Sequence, residues 1–176
     1  MDTNVFISKL KPDDPYHLEA NLLINKIRKG QIKAETSVLT LLELSSVAGR
    51  LYHRTFGKQE NISERRAFVV KTLKTFANLG VKFVHMAGDL PFTLGNIKTD
   101  VPKMINESIF LSIHIPLRTL DLVHVGAARS AKQDNPDLDT FVTGDKEILL
   151  IKDDLSRFTG LAFLSPKEYV NSLGLK

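Results

Sequence analysis

Four acidic residues of this 176-residue chain stand where a solvated charge would not be expected. Glu43 lies in Leu41-Leu42-Glu43-Leu44, inside the most apolar helical segment of the chain. A buried, unpaired carboxylate is costly there and takes up a proton unless a cation or a ring of donors faces it. Asp121 lies in Leu120-Asp121-Leu122-Val123-His124. Asp145 follows the apolar run Thr140-Phe141-Val142-Thr143, and Asp2 opens Asp2-Thr3-Asn4. Each has an ordinary reading of its own. Glu43 would sit on a narrow exposed edge of its helix, and Asp121 would gain from first-turn electrostatics. Asp145 and Asp2 would cap helices, or Asp2 would belong to a frayed terminus. Taken together they share one chemistry. Carboxylate oxygens are the hard ligands that hold Mg²⁺ or Mn²⁺. Several carboxylates converging on one point repel each other and need the cation. One or two ions could then polarise a phosphate, activate a water and stabilise the leaving oxygen.

Other chemistries lack their residues. The chain has no cysteine, which excludes disulfides, thiolate metal sites and cysteine nucleophiles. It carries no glycine-rich phosphate cradle, no nucleophile elbow and no zinc signature. His124 follows Asp121 by one helical turn and reads as a partly buried helix histidine rather than a ligand. His17, His53, His85 and His114 form no ligand spacing. The formal net charge is +4. Residues 50–75 alone carry +5, with Arg50, Arg54, Lys58, Arg65, Arg66, Lys71 and Lys74 against Glu60 and Glu64, so the rest of the chain is close to neutral. That stretch is either a solvated helix surface or a face that contacts phosphates, where basic side chains gain by counterion release.

The elements that must position these residues follow from periodicity and punctuation. Asp14-Pro15 reads as an N-cap and first helical residue, with Leu18, Leu22, Leu23 and Ile27 at helical spacing and Gly30 as the stop. Ser37 opens a second helix from Val38 to about Tyr52, and Ser63 a third that ends at Gly80. Val81 to His85 alternates as a strand does. Residues 88–102 read as a loop marked by Gly and Pro. Further helices are expected over 104–113 and from Thr119 to about Ala131. A strand over 140–143 leads to a helix of about seven residues opened by Asp145. A strand over 161–164 and a short helix from Pro166 finish the chain. Short strands alternating with helices predict an α/β fold with a mostly parallel sheet, and ligands of such sheets bind at the carboxyl ends of the strands. With 43% hydrophobic residues and no apolar run of membrane-spanning length, a single domain over 1–176 is expected, with no membrane contact. A cytoplasmic enzyme is the simplest reading.

In this order the motifs resemble those of the PIN-domain family. Asp2-Thr3-Asn4 is similar to the family's opening motif and Thr40-Leu41-Leu42-Glu43 to its second. Arg118-Thr119-Leu120-Asp121-Leu122-Val123-His124 is similar to its third and Thr143-Gly144-Asp145-Lys146 to its fourth. The resemblance implies a three-layer α/β/α sandwich and an Mg²⁺- or Mn²⁺-dependent endoribonuclease that leaves a 5′-phosphate and a 3′-hydroxyl. It implies Asp2, Glu43, Asp121 and Asp145 as metal ligands, with Thr143 and Asn4 orienting them. Compact members of the family include VapC-type toxins that form homodimers and pair with an antitoxin protein. Two features depart from the family's pattern. Its members carry an apolar strand ahead of the first Asp, so the natural start is expected to lie upstream of Met1. The 78 positions from Glu43 to Asp121 exceed those of compact toxins, so a helical elaboration is expected around 50–115. Two other readings remain open. One is a PIN-like module that binds RNA or a partner without cutting, and the other is a metal-dependent phosphatase or phosphotransferase.

Overall fold

The computed structural model of the chain describes residues 1–57, 61–84 and 88–175. Its organising element is β5 (Thr140–Val142), which pairs in parallel with β6 (Ala162–Leu164). Alternate side chains of a strand point to opposite faces. Phe141 accordingly joins Phe163, Leu111, Leu122, Val125 and Leu155 in one core cluster, while Val142 joins Val5, Ala20, Leu23 and Val170 in another. Helices therefore cover both faces of this pair. The first cluster draws on α5 (Lys103–Ser112), α6 (Thr119–Asp134), α7 (Lys146–Leu150) and α8 (Lys152–Thr159). The second draws on α1 (Thr3–Leu10), α2 (His17–Arg28) and α9 (Pro166–Ser172).

A second parallel pair joins β1 (Glu35–Thr36) to β2 (Lys82–Phe83). Beside it α3 (Leu39–Phe56) and α4 (Ile62–Ala77) pack with α1 and α2 around Phe6, Ile24, Ile27, Leu44 and Phe76. The two pairs are bridged by the first two residues. The Met1 nitrogen donates to the Glu35 carbonyl at 2.8 Å, and the Thr36 hydroxyl donates to the Met1 carbonyl at 2.9 Å. On the other side the Asp2 amide donates to the Val142 carbonyl at 2.9 Å. Met1 and Asp2 thus hold the place of a strand between β1 and β5, and the mixed α/β character of the chain rests on these short parallel pairings.

Several boundaries differ from the sequence reading for identifiable reasons. Residues 89–102, expected as loop, form the antiparallel hairpin β3 (Asp89–Leu94) and β4 (Ile97–Pro102). Gly95 at φ +57° supplies the two-residue turn, a hairpin signal that the flanking Gly88, Pro91 and Pro102 obscure. The stretch 50–115 is therefore not helical throughout. Residues 3–10, given no element in advance, form α1, and α8 extends the helical run after Asp145. Asp14 does not cap α2; its carboxylate accepts the Tyr16 amide at 2.9 Å in a turn ahead of the helix. Asn61, not Ser63, caps α4 by accepting the amides of Ser63 and Glu64. The expected strand 81–85 is present as β2, while His85, Lys58 and Glu60 lie outside the described residues. Among the described residues no helix is long and apolar enough to cross a membrane.

A close approach of α6 to α5 is made possible by Gly126 in α6. A Cβ built there would meet the Ser108 hydroxyl, the Met104 carbonyl oxygen at 2.7 Å and the Ser108 amide nitrogen at 2.9 Å. Two of these atoms are backbone and cannot swing away, so relief requires α5 and α6 to move apart. Overpacking of this kind costs about 1–3 kcal/mol. Gly126→Ala should therefore lower the melting temperature by roughly 2–12 °C, using about 2–4 °C per kcal/mol for a chain of this size. An unchanged thermal melt would show that the two helices do not touch there.

Candidate functional site

Asp2 sits at the N-cap position of α1 in an extended conformation, yet its carboxylate makes no cap hydrogen bond. It points instead across the sheet. Its Oδ2 accepts the Thr143 hydroxyl at 2.5 Å and the Asn4 side-chain amide at 3.2 Å. The side chain is 4% exposed. Burial raises its pKa, and the nearby charge of Glu43 raises it further. The charge of His124, the Thr143 hydrogen bond and the chain's amino group oppose the rise. Thr143 is itself fully buried, one residue past the end of β5. Its hydroxyl also accepts the Asp145 amide at 3.0 Å, so a single side chain ties Asp2 to the turn that carries Asp145.

Glu43 projects from the second turn of α3, half-buried, and pairs with His124 of α6. The His124 Nε2 lies 3.0 Å from the Glu43 carboxylate, a contact between residues 81 positions apart. Burial pushes the Glu43 pKa up, but hydrogen bonds from His124 and Thr3 outweigh it and hold the group below its ordinary value. His124 is 5% exposed. Burial lowers its pKa, and the Glu43 hydrogen bond together with the charges of Asp2, Glu43 and Asp121 more than reverses that, raising it. One ligand atom each from Asp2, Glu43 and His124 lies within 4.8 Å of the other two. Loops and helices distant in sequence thus meet at the carboxyl end of β5, as expected for this class of sheet.

The remaining sequence candidates flank this group. Asp121 stands in the first turn of α6, half-buried. Burial raises its pKa first, followed by the charges of Asp145, Asp2 and Glu147, with His124 opposing. Those couplings place its carboxylate in the same field as the three converging groups. Asp145 has the structural role considered for it. Its Oδ1 caps α7 by accepting the amides of Glu147 at 2.7 Å and Ile148 at 3.3 Å. Asn4 and Thr143 are partners of Asp2, as described above. His124, read from sequence as a partly buried helix histidine, is a buried residue of α6. Its place one turn after Asp121 was visible, but its pairing with Glu43 is created by packing α6 against α3 and has no local signature.

The donor set fits a divalent cation. Two carboxylates and an imidazole form a mixed oxygen and nitrogen set, suited to Mn²⁺ and its transition-metal neighbours as well as to Mg²⁺. Compared with known family models, with curated proteins and with solved structures, the chain matches none.

Proposed function

We propose that the chain is a divalent-metal-dependent endoribonuclease with a PIN-like three-layer arrangement. Asp2, Glu43 and His124 form the core of its metal site, with Asp121 and Asp145 at the rim. The observation that carries this reading is the convergence of Asp2, Glu43 and His124 within 4.8 Å at the end of β5. A buried and a half-buried carboxylate brought this close repel each other, and a cation joining them would offset that cost. The four-motif resemblance in sequence order, and helices on both faces of the β5–β6 pair, support the same assignment.

A bound Mg²⁺ or Mn²⁺ would supply the positive charge that polarises a phosphodiester and makes a water more acidic. The chain's own residues do the positioning. Thr143 and Asn4 fix Asp2 through its Oδ2, which sets which carboxylate lone pairs face the site. His124 fixes Glu43. The cap hydrogen bonds of Asp145 hold its Oδ1 at the mouth of α7. Asp121 remains partly open to solvent, where an incoming phosphate would approach.

The test is incubation of the full chain with a pool of single-stranded and structured RNAs in Mg²⁺, Mn²⁺ or EDTA. Cleavage is expected with either metal, with 5′-phosphate ends, and none with EDTA. Undiminished cleavage in EDTA, or RNA left intact under all three conditions, would remove the nuclease reading.

A further inference from the structure

Most described basic side chains that touch an acidic one are on the body of the fold. Lys82, Lys103, Arg118, Arg129 and Lys152 each lie against a carboxylate. Arg50 and Arg54 of α3 differ. Both are exposed, and among the described residues neither makes an ion pair. Their place on the helix is informative. At about 100° per residue, Arg50 and Arg54 fall within roughly 20° of the stripe that carries Glu43, about 10 Å and 16 Å further along the axis. The Arg50 guanidinium is held on that side by a 2.6 Å hydrogen bond to the Ser46 hydroxyl. A groove beside the stripe is lined by Lys11, Arg50 and Arg54 over the apolar Leu10, Val47 and Leu51. A shallower depression next to it is lined by Arg50, His53, Arg54 and Arg65. No carboxylate is among the described residues that line either one.

We propose that Arg50 and Arg54, with Lys11, form a phosphate track that positions the backbone of a single-stranded RNA leading into the Glu43 end of the site. The inference rests on the nuclease reading. A polyanion with one phosphate at the carboxylate cluster must continue past it, and α3 offers, in line with Glu43, guanidinium groups that make no ion pair among the described residues. Guanidinium groups bind phosphate oxygens in a fork and release counterions as they do so. The basic stretch of the sequence thereby divides. Arg50 and Arg54 lie on the track, whereas Arg66 and Lys74 belong to the exposed side of α4.

The decisive measurement is fluorescence anisotropy of a labelled single-stranded RNA with the full chain in EDTA, over a range of salt concentrations. Arg50→Gln/Arg54→Gln should weaken binding at least about tenfold at low salt. It should also reduce the slope of log affinity against log salt by about 1.4, from two lost contacts at roughly 0.7 each on a single strand. In metal-supported cleavage KM should rise while kcat at saturation holds, because these are positioning residues. Arg50→Lys/Arg54→Lys should recover most of the salt slope, and Arg66→Gln/Lys74→Gln should change neither quantity. Cleaving protein whose double Gln variant keeps its RNA affinity and salt slope overturns the track and leaves the nuclease reading in place. A labelled poly-glutamate peptide bound as tightly through the same two arginines would also overturn it, by assigning the surface to acidic protein segments. A parent chain that neither binds nor cuts RNA removes both readings.

Discussion

Asp2→Asn is expected to melt at a higher temperature than the parent chain in EDTA, and to cleave RNA about 10²–10³-fold more slowly in Mn²⁺. The rate estimate is that for removing one group aimed at developing charge. The stability sign follows from the direction of the pKa shift. Burial raises the folded-state pKa of Asp2 above its ordinary value, so folding favours the protonated form. The unfavourable contribution is absent below the ordinary carboxylate value. It grows as pH rises from that value toward the folded-state value and is complete above it. Asparagine keeps an acceptor for the Thr143 hydroxyl and removes the charge, so the cost disappears while the packing stays. Metal reverses the ranking. A ligand at a hundred times its dissociation constant stabilises a folded protein by about 2.7 kcal/mol, a rise of roughly 5–10 °C for a chain of this length. The parent should show that rise with Mn²⁺ and Asp2→Asn should not. A variant that melts lower than the parent in EDTA would show that His124 already neutralises the Asp2 charge. A variant as active as the parent would remove Asp2 from the site.

This opposition between stability and activity explains which parts of the chain were legible in its sequence. Glu43 stood out because local patterning had no use for a charge there, and it is one of the converging groups; Asp121, which first-turn electrostatics also accounts for, stands in their field. Asp145 also stood out, and here the local explanation describes its contacts: it caps α7 with one oxygen. Strand β5 and helices α3, α4 and α6 were readable because each buries one periodic apolar face. Glu35-Thr36 was not readable as β1, because a two-residue strand carries almost no periodic signal and is defined by its partners β2 and Met1. The hairpin β3–β4 was hidden by its prolines: Pro102 ends β4, while Pro91 lies inside β3, tolerated because a strand of a two-stranded hairpin is an edge strand. His124 is the clearest case. Its ordinary helix context gave no reason to prefer a chemical role, since the partner that creates one lies on another helix. A pairing of that kind is set by tertiary packing, and only the assembled fold displays it.

His124 also carries the second large effect. In the metal-free protein it pairs with Glu43, and the two shifts bound a pH window. The raised folded-state pKa of His124 means its contribution is fully present below about 6.5 and is lost as pH rises through the folded-state value. The lowered value of Glu43 means its contribution is present above its ordinary pKa and is lost as pH falls through the folded-state value. In EDTA the melting temperature should therefore fall as pH rises from about 6.5 through the folded-state value of His124. That decline should vanish in His124→Gln, which can hydrogen-bond to Glu43 but cannot titrate. As a metal ligand the imidazole must first give up its proton, so metal uptake and protonation compete for one nitrogen. Mn²⁺ affinity in the parent should rise with pH across the same range and weaken at least about tenfold in His124→Gln, the scale seen when groups supporting a metal site are lost. Mg²⁺ affinity should change little, because a hard ion gains little from imidazole. Electron paramagnetic resonance of bound Mn²⁺ separates ligation from mere neutralisation. A nitrogen coupling present in the parent and absent from His124→Gln assigns His124 as a ligand. Its absence from both makes the imidazole a counter-ion that holds Glu43 in place.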